Sequence, residues 1–218
     1  MAGPLVRLKI TIDDVDPLVM RRVVVPFRIR LDRLHEVLQG AFGWTNSHLY
    51  EFRIRDIGFG VPDGGFDGRL DARKETLLAA IEDIGARSFK YLYDFGDGWT
   101  HTVKIEKTFP ATAGFDDPFL LEVVGRCPPE DVGGPWGYEE FREAIADTNH
   151  ERHHELVEWW GDAHYDPGDV DAANLRKNVE ALAAKWKRRS RKKNLTLRSS
   201  ADAYPLRKDA NLPQRFSM

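Results

Sequence analysis

The stretch from Tyr91 to His101, Y-L-Y-D-F-G-D-G-W-T-H, constrains the fold more than any other part of the chain. Tyr91, Tyr93 and Phe95 alternate with other residues, the two-residue period of a strand with one apolar face. Gly96-Asp97-Gly98 breaks the run, after which Trp99, His101, Val103 and Ile105 resume it. The pattern predicts a β-hairpin with polar chemistry at its tip. Two registers are compatible with it. A two-residue Asp97-Gly98 loop places Asp94 opposite His101 on one face. A three-residue Gly96-Asp97-Gly98 loop pairs Tyr93 with His101 and gathers the aromatics on one side. A one-residue slip exchanges the faces, and the three-residue loop is favoured because it makes one continuous apolar surface.

Other segments follow the same logic. Val6, Leu8, Ile10 and Ile12 alternate with polar residues, and Val19 to Ile29 reads as a second strand carrying Arg21, Arg22 and Arg28. Leu34, Val37, Leu38, Ala41 and Phe42 fall at helical spacing after Asp32, and Gly43 stops that helix. His48 to Arg55 predicts a third strand, the glycine-rich Gly58 to Gly68 a loop, Lys74 to Ile84 a short helix, and Phe119 to Val124 a further strand. Helices are expected over Tyr138 to Asp147, His150 to Trp160 and Asp171 to Arg188. The sum is an α+β fold: an antiparallel or mixed sheet with a central aromatic hairpin, packed helices and a helical C-terminal third.

Charge divides the chain. From Lys185 onward there are eleven Lys/Arg against two Asp, whereas the preceding residues hold 21 Lys/Arg against 33 Asp/Glu. An acidic body argues against nucleic-acid binding over a broad surface. The expected organisation is one domain over 1–188 and a basic, poorly ordered tail over 189–218. Lys187, Arg188, Arg189, Arg191, Lys192 and Lys193 are the only nucleic-acid signal, an arm that a phosphate backbone would attract. A single cysteine, Cys127, excludes an internal disulfide framework and suits a reducing cytoplasm. Neither a bilayer-spanning run nor a signal peptide is expected, so no membrane partner is.

The second unusual stretch is C-P-P-E-D-V-G-G-P-W-G-Y, Cys127 to Tyr138. Taken with Y-x-Y-D-F-G-D-x-W-x-H, it resembles the Ri-plasmid ORF-three-like family, whose members are often labelled TnpR-like passengers of insertion elements. Arg21-Arg22-Val23, Leu34-His35, Phe42-Gly43-Trp44, His48-Leu49-Tyr50, Trp159 and Asp166-Pro167 extend the likeness across Leu5 to Leu182. The resemblance implies a fold and an association with plasmids and mobile elements, not a reaction. A serine recombinase needs an activated serine near its start, and the first forty residues contain none.

If the hairpin tip meets the Pro-Pro-Glu-Asp loop, then Asp94, Asp97, His101, Glu130 and Asp131 form a polar site. Tyr91, Tyr93, Trp99, Trp136 and Tyr138 would be its aromatic walls. Oxygen-rich sites with one imidazole suit a divalent metal, with Asp94, Asp97 and His101 as candidate ligands. The bland alternative is that these carboxylates cap the turn and loop amides beside them. His48 reads as a satisfied edge histidine. His150-Glu151-Arg152-His153-His154 matches H-E-x-x-H, but position 157 lacks the glycine and position 160 the third histidine of the longer zinc-protease form. The expected function is a ligand-binding or accessory module, with a metal-assisted hydrolase using the same pocket as the alternative.

Overall fold

A computed structural model describes residues 3–62, 68–82, 85–110 and 117–202, with side chains as far as 188. It contains β1 (Leu5–Ile12), β2 (Met20–Pro26), α1 (Leu31–Phe42), β3 (Tyr50–Ile54), β4 (Ile57–Gly60), β5 (Leu70–Asp71) and α2 (Leu77–Glu82). There follow β6 (Ser88–Tyr93), β7 (Trp99–Phe109), β8 (Phe119–Val124), α3 (Gly134–Ala146), α4 (His153–Trp160) and α5 (Ala172–Asp202). The strands form one mixed sheet in the order β5-β4-β3-β6-β7-β1-β2-β8, antiparallel except for the parallel β4–β5 pair. The α+β expectation holds, and the aromatic hairpin β6–β7 lies at the centre of the sheet.

The two faces of the sheet differ as the alternation demands. Leu8, Ile10, Val23, Val25, Tyr91, Tyr93, Trp99, His101 and Val103 are enclosed, as is the stripe of α1 formed by Leu34, Val37, Leu38 and Ala41. Phe42 of α1 meets the ring of His101 at 5.0 Å. Burying each large side chain contributes roughly 1.5–3 kcal/mol, so this seam is the main source of stability. The opposite face is polar: Lys90 Nζ donates to Asp13 at 2.7 Å, and Arg7 and Arg22 converge on Glu106. A bulge in the β1–β7 pairing supplies that glutamate, because Arg7 pairs with Lys107 and Leu8 with Ile105.

Both predicted hairpin registers are corrected. Tyr93 pairs with Trp99 and Tyr91 with His101, leaving Asp94 to Gly98 as the connection. Asp94 takes a left-handed φ of 56°, its Oδ1 accepts the Gly96 amide at 2.9 Å, and its carbonyl accepts the Gly98 amide at 2.7 Å. That closed turn ends the pairing at Tyr93. The shared apolar face of Tyr91, Tyr93, Trp99 and His101 is nevertheless the one expected, since the register differs by an even step. Phe95 leaves that face and is 43% exposed.

Three further segments depart from the sequence reading. Ile57–Gly60 is a strand, and Gly60 is needed there because a Cβ would lie 2.9 Å from the Tyr50 carbonyl. Of the rest of the expected loop, residues 63–67 lie outside the described residues. Helix α3 starts at Gly134, with Gly133 at φ 95° as its cap and proline in its first turn. Helix α4 starts at His153, so His150 and His154 do not share a helix face; His150 Nδ1 instead accepts the Arg152 amide at 3.1 Å.

The chain divides into two units, Met1–Ala183 and Ala184–Met218. In the first, α5 buries Leu175, Val179 and Ala183. In the second, α5 continues as far as Asp202. Arginine, lysine, leucine and alanine are good helix formers, so low hydropathy alone did not preclude a helix. Residues 203–218 lie outside the described ones. No helix among the described residues is long and apolar enough to cross a membrane.

Candidate metal centre

Three connections converge at one end of the sheet: the segment 43–49 between α1 and β3, the hairpin tip, and the segment from Gly125 to Gly133 that leads into α3. The tip and the Pro-Pro-Glu-Asp loop come together through backbone. Asp97 Oδ2 accepts the Gly133 amide at 3.1 Å, and Gly134 passes so close that a Cβ would lie 2.2 Å from the Asp97 carbonyl oxygen. Only glycine fits there, and its φ of 72° is one that other residues avoid.

The first of these segments is fastened from within the core. His35 Nε2 donates to Asn46 Oδ1, while Tyr91 OH lies 2.8 Å from His35 Nδ1 and accepts from Gln39 Nε2 at 3.0 Å. Gln39 Oε1 then accepts the Asn46 amide at 3.0 Å, closing a ring of four residues. The ring holds Asn46 at φ 62°. Burial pushes the His35 imidazole down to about 4, which keeps it neutral and able to accept the Tyr91 proton. Next in the chain, the Ser47 amide donates to Tyr93 OH at 3.1 Å, and Tyr93 OH donates to Glu130 Oε1 at 2.6 Å. Glu130 Oε2 accepts the Thr45 amide at 2.8 Å. Burial, with the carboxylate of Glu130 next to it, raises Tyr93 to about 12.

His48 emerges from this scaffold between two carboxylates. Its Nδ1 is 3.5 Å from Asp94 Oδ2 and its Nε2 is 3.2 Å from Asp131 Oδ1. One donor atom from each of the three residues lies within 4.8 Å of the others. Nε2 is enclosed but has no hydrogen bond of ordinary geometry, so the nearby Asp131 oxygen lies off its bonding direction. Of the five non-glycine residues with positive φ among the described residues, three (Asn46, Asp94 and Asp131) belong to this corner. Backbone held in sparsely populated conformations collects at functional sites.

The predicted site is therefore partly redistributed. Asp94 and Asp131 come together, and His48 supplies the imidazole in place of His101. His101 is fully enclosed: its Nδ1 donates to the Tyr91 and Trp99 carbonyls at 3.2 and 3.0 Å, and burial lowers its pKa to about 4. Pairing with Tyr91 turns it onto Phe42 and Trp44 of the core, away from the tip. Asp97 and Glu130 accept hydrogen bonds across the loop junction, the capping role weighed as the bland alternative. The expected aromatic walls are corrected too. Tyr91, Tyr93 and Trp99 are wholly enclosed, Trp136 is 85% exposed, and Tyr138 packs on Tyr165. His48 was missed because its neighbours alone read as a strand edge. Its signal was Asn46 shortly before it, a residue that suits a left-handed turn ahead of β3.

Fold and site together define an α+β domain with an imidazole–dicarboxylate cluster where its sheet, hairpin tip and loops converge. Residues 4–174 match the plasmid pRiA4b ORF-3-like protein family, and the chain belongs to it. An uncharacterised protein of Sinorhizobium fredii is 63% identical over 194 residues, 88% of this chain and all of that one. The crystal structure of a protein of unknown function from Methanosarcina mazei Go1 is similar with a TM-score of 0.70 and 30% identity. That match covers 82% of this chain and 99% of the other.

Proposed function

We propose that the domain binds a divalent cation through His48, Asp94 and Asp131, and that the cation helps to hold a ligand at the junction of hairpin tip and loop. The observation that carries the reading is the enclosed Nε2 of His48, which lacks a hydrogen bond while two carboxylates flank its ring. One imidazole with two carboxylates is a donor set suited to Zn²⁺ or Mn²⁺. Three protein ligands leave coordination positions for water or a ligand oxygen. Within this reading the protein is a cytoplasmic binding module encoded among plasmid and mobile-element genes.

The open positions also favour a second reading, metal-assisted hydrolysis, in which the cation would lower the pKa of a bound water. Glu130 is a poor general base here because both its oxygens already accept hydrogen bonds.

Asp94→Asn tests the site cleanly. Asparagine tolerates the left-handed backbone and retains an oxygen for the Gly96 amide, yet loses the charge. Titration of the metal-free full chain with Zn²⁺ and Mn²⁺ should show one site that Asp94→Asn and His48→Gln abolish and His101→Gln leaves intact. Affinity should fall with falling pH, because protons compete for the imidazole. A parent chain that takes up neither ion would overturn the reading. So would an Asp94→Asn chain that binds as the parent does. Hydrolysis of generic phosphate or carboxylate esters, dependent on the ion, would select the second reading.

A further inference from the structure

A separate cavity of about 390 Å³ lies between the C-terminal end of α1, the Cys127–Glu130 segment and the start of α5. Its wall includes Arg21, Phe42, Trp44, Cys127, Asn174 and Asn178. The volume is that of a small-molecule site. Arg21 is the unusual member. It comes from the core-facing side of β2 and is 0% exposed. Its Nε donates to the Ala41 carbonyl at 2.8 Å, and its Nη1 to the Met20 and Val124 carbonyls at 2.8 and 2.7 Å. The Nη2 group has no partner, and among the described residues no carboxylate pairs with the guanidinium. The terminal carbonyls of α1 and the Phe42 ring, 5.0 Å away, offset part of the charge. A buried cation with an idle donor is costly to keep.

The remaining charges of the wall do not cancel it. Glu130 is engaged by Tyr93 and Thr45, and Asp171 Oδ1 accepts the Asn174 amide at 2.9 Å as the cap of α5. Asp169 is exposed, and the Arg126 guanidinium lies over the rings of Trp160 and Tyr165. Cys127 adds no anion, since burial pushes its thiol up. The field of an enclosed guanidinium is screened far less than that of a surface charge. Asn174 and Asn178 supply neutral amide donors to the same space, and the half-buried Pro129 and Val170 supply apolar surface.

We propose that this cavity binds a small organic anion, a carboxylate or phosphate group on an apolar body, with Arg21 as the buried counter-charge. The site does not depend on the cation at His48, and the two are separable by experiment.

Benzoate and phenyl phosphate serve as probes, with neutral benzamide as the control, added to the full chain in the presence of a chelator. One or both anions should bind and raise the melting temperature, while benzamide does not; whichever anion binds more tightly identifies the head group. Asn174→Asp with Asn178→Asp places two negative charges on exposed positions of the wall and should weaken anion binding at least tenfold without unfolding the chain. Arg21→Met should also abolish binding if it folds, and the asparagine variants carry the test if it does not. Asp94→Asn should bind the anion as the parent does. The proposal is overturned if neither anion binds, if benzamide binds equally well, or if either the double aspartate variant binds unchanged or Asp94→Asn abolishes binding.

Discussion

Lowering the pH from about 7.5 to 5 should cost this domain roughly 4 kcal/mol through two histidines alone. His35 and His101 are enclosed, and burial holds each near 4 in the folded chain against about 6.5 when unfolded. The folded pKa is depressed, so the stabilisation is present in full above about 6.5 and is lost as the pH falls toward 4. At about pH 5 the unfolded chain has taken up both protons while the folded chain has taken up almost none. Each site then contributes about 2 kcal/mol of destabilisation, rising to about 3 near the folded pKa. Against total stabilities of roughly 5–15 kcal/mol this is a large fraction. Urea unfolding followed by tryptophan fluorescence at several pH values measures the slope. The double variant His35→Gln, His101→Gln, compared with itself over the same range, removes the contribution of these two groups. A parent whose loss exceeds that of the double variant by less than about 1 kcal/mol would refute the reasoning. So would imidazole proton resonances of either histidine titrating near the free value.

Tyr93→Phe keeps the ring but removes the hydroxyl that joins Glu130 to the Ser47 amide; a loss of about 1–3 kcal/mol is expected in urea unfolding, with weaker metal uptake. Gly134→Ala should cost more than about 2 kcal/mol, since it combines a left-handed backbone with a collision against the Asp97 carbonyl, and a chain with unaltered melting would contradict that close approach. Removing residues 189–218 should leave the circular dichroism and melting of the first unit unchanged, because its contacts to α5 come from Leu175, Val179 and Ala183. Any affinity of the full chain for a nucleic-acid duplex should vanish with that deletion and decline steeply with salt.

Much of the architecture was legible because it rests on periodicity. β1 follows the alternation of Val6, Leu8, Ile10 and Ile12, β8 spans the expected Phe119 to Val124, and the even-numbered shift in hairpin register kept its aromatic face intact. What periodicity could not give was the length of the tip, since Asp94 ends the pairing through its own side chain and a left-handed φ. Glycine content concealed β4, where Gly60 answers the close approach of the Tyr50 carbonyl rather than a need to turn. The candidate site was half legible for a related reason. Asp94 and Asp131 sit in conspicuous motifs, but the imidazole between them comes from a third segment. Its placement depends on His35, Gln39 and Asn46, three residues with no common pattern in the chain.

That ring of hydrogen bonds gives the site an unusual inheritance. His48 stands on a segment whose pose is copied from the spacing between α1 and β6, because Gln39 and His35 ride on the helix and Tyr91 on the strand. A methyl group added or removed deep under α1 is therefore felt at the imidazole, although the two never touch. Transplanting the three convergent loops onto another sheet would carry over the side chains and lose the gauge that sets them. Tuning the cluster without disturbing it has to come from outside, through the exposed neighbours Leu49 and Phe95, which can change while the helix-to-strand distance stays fixed.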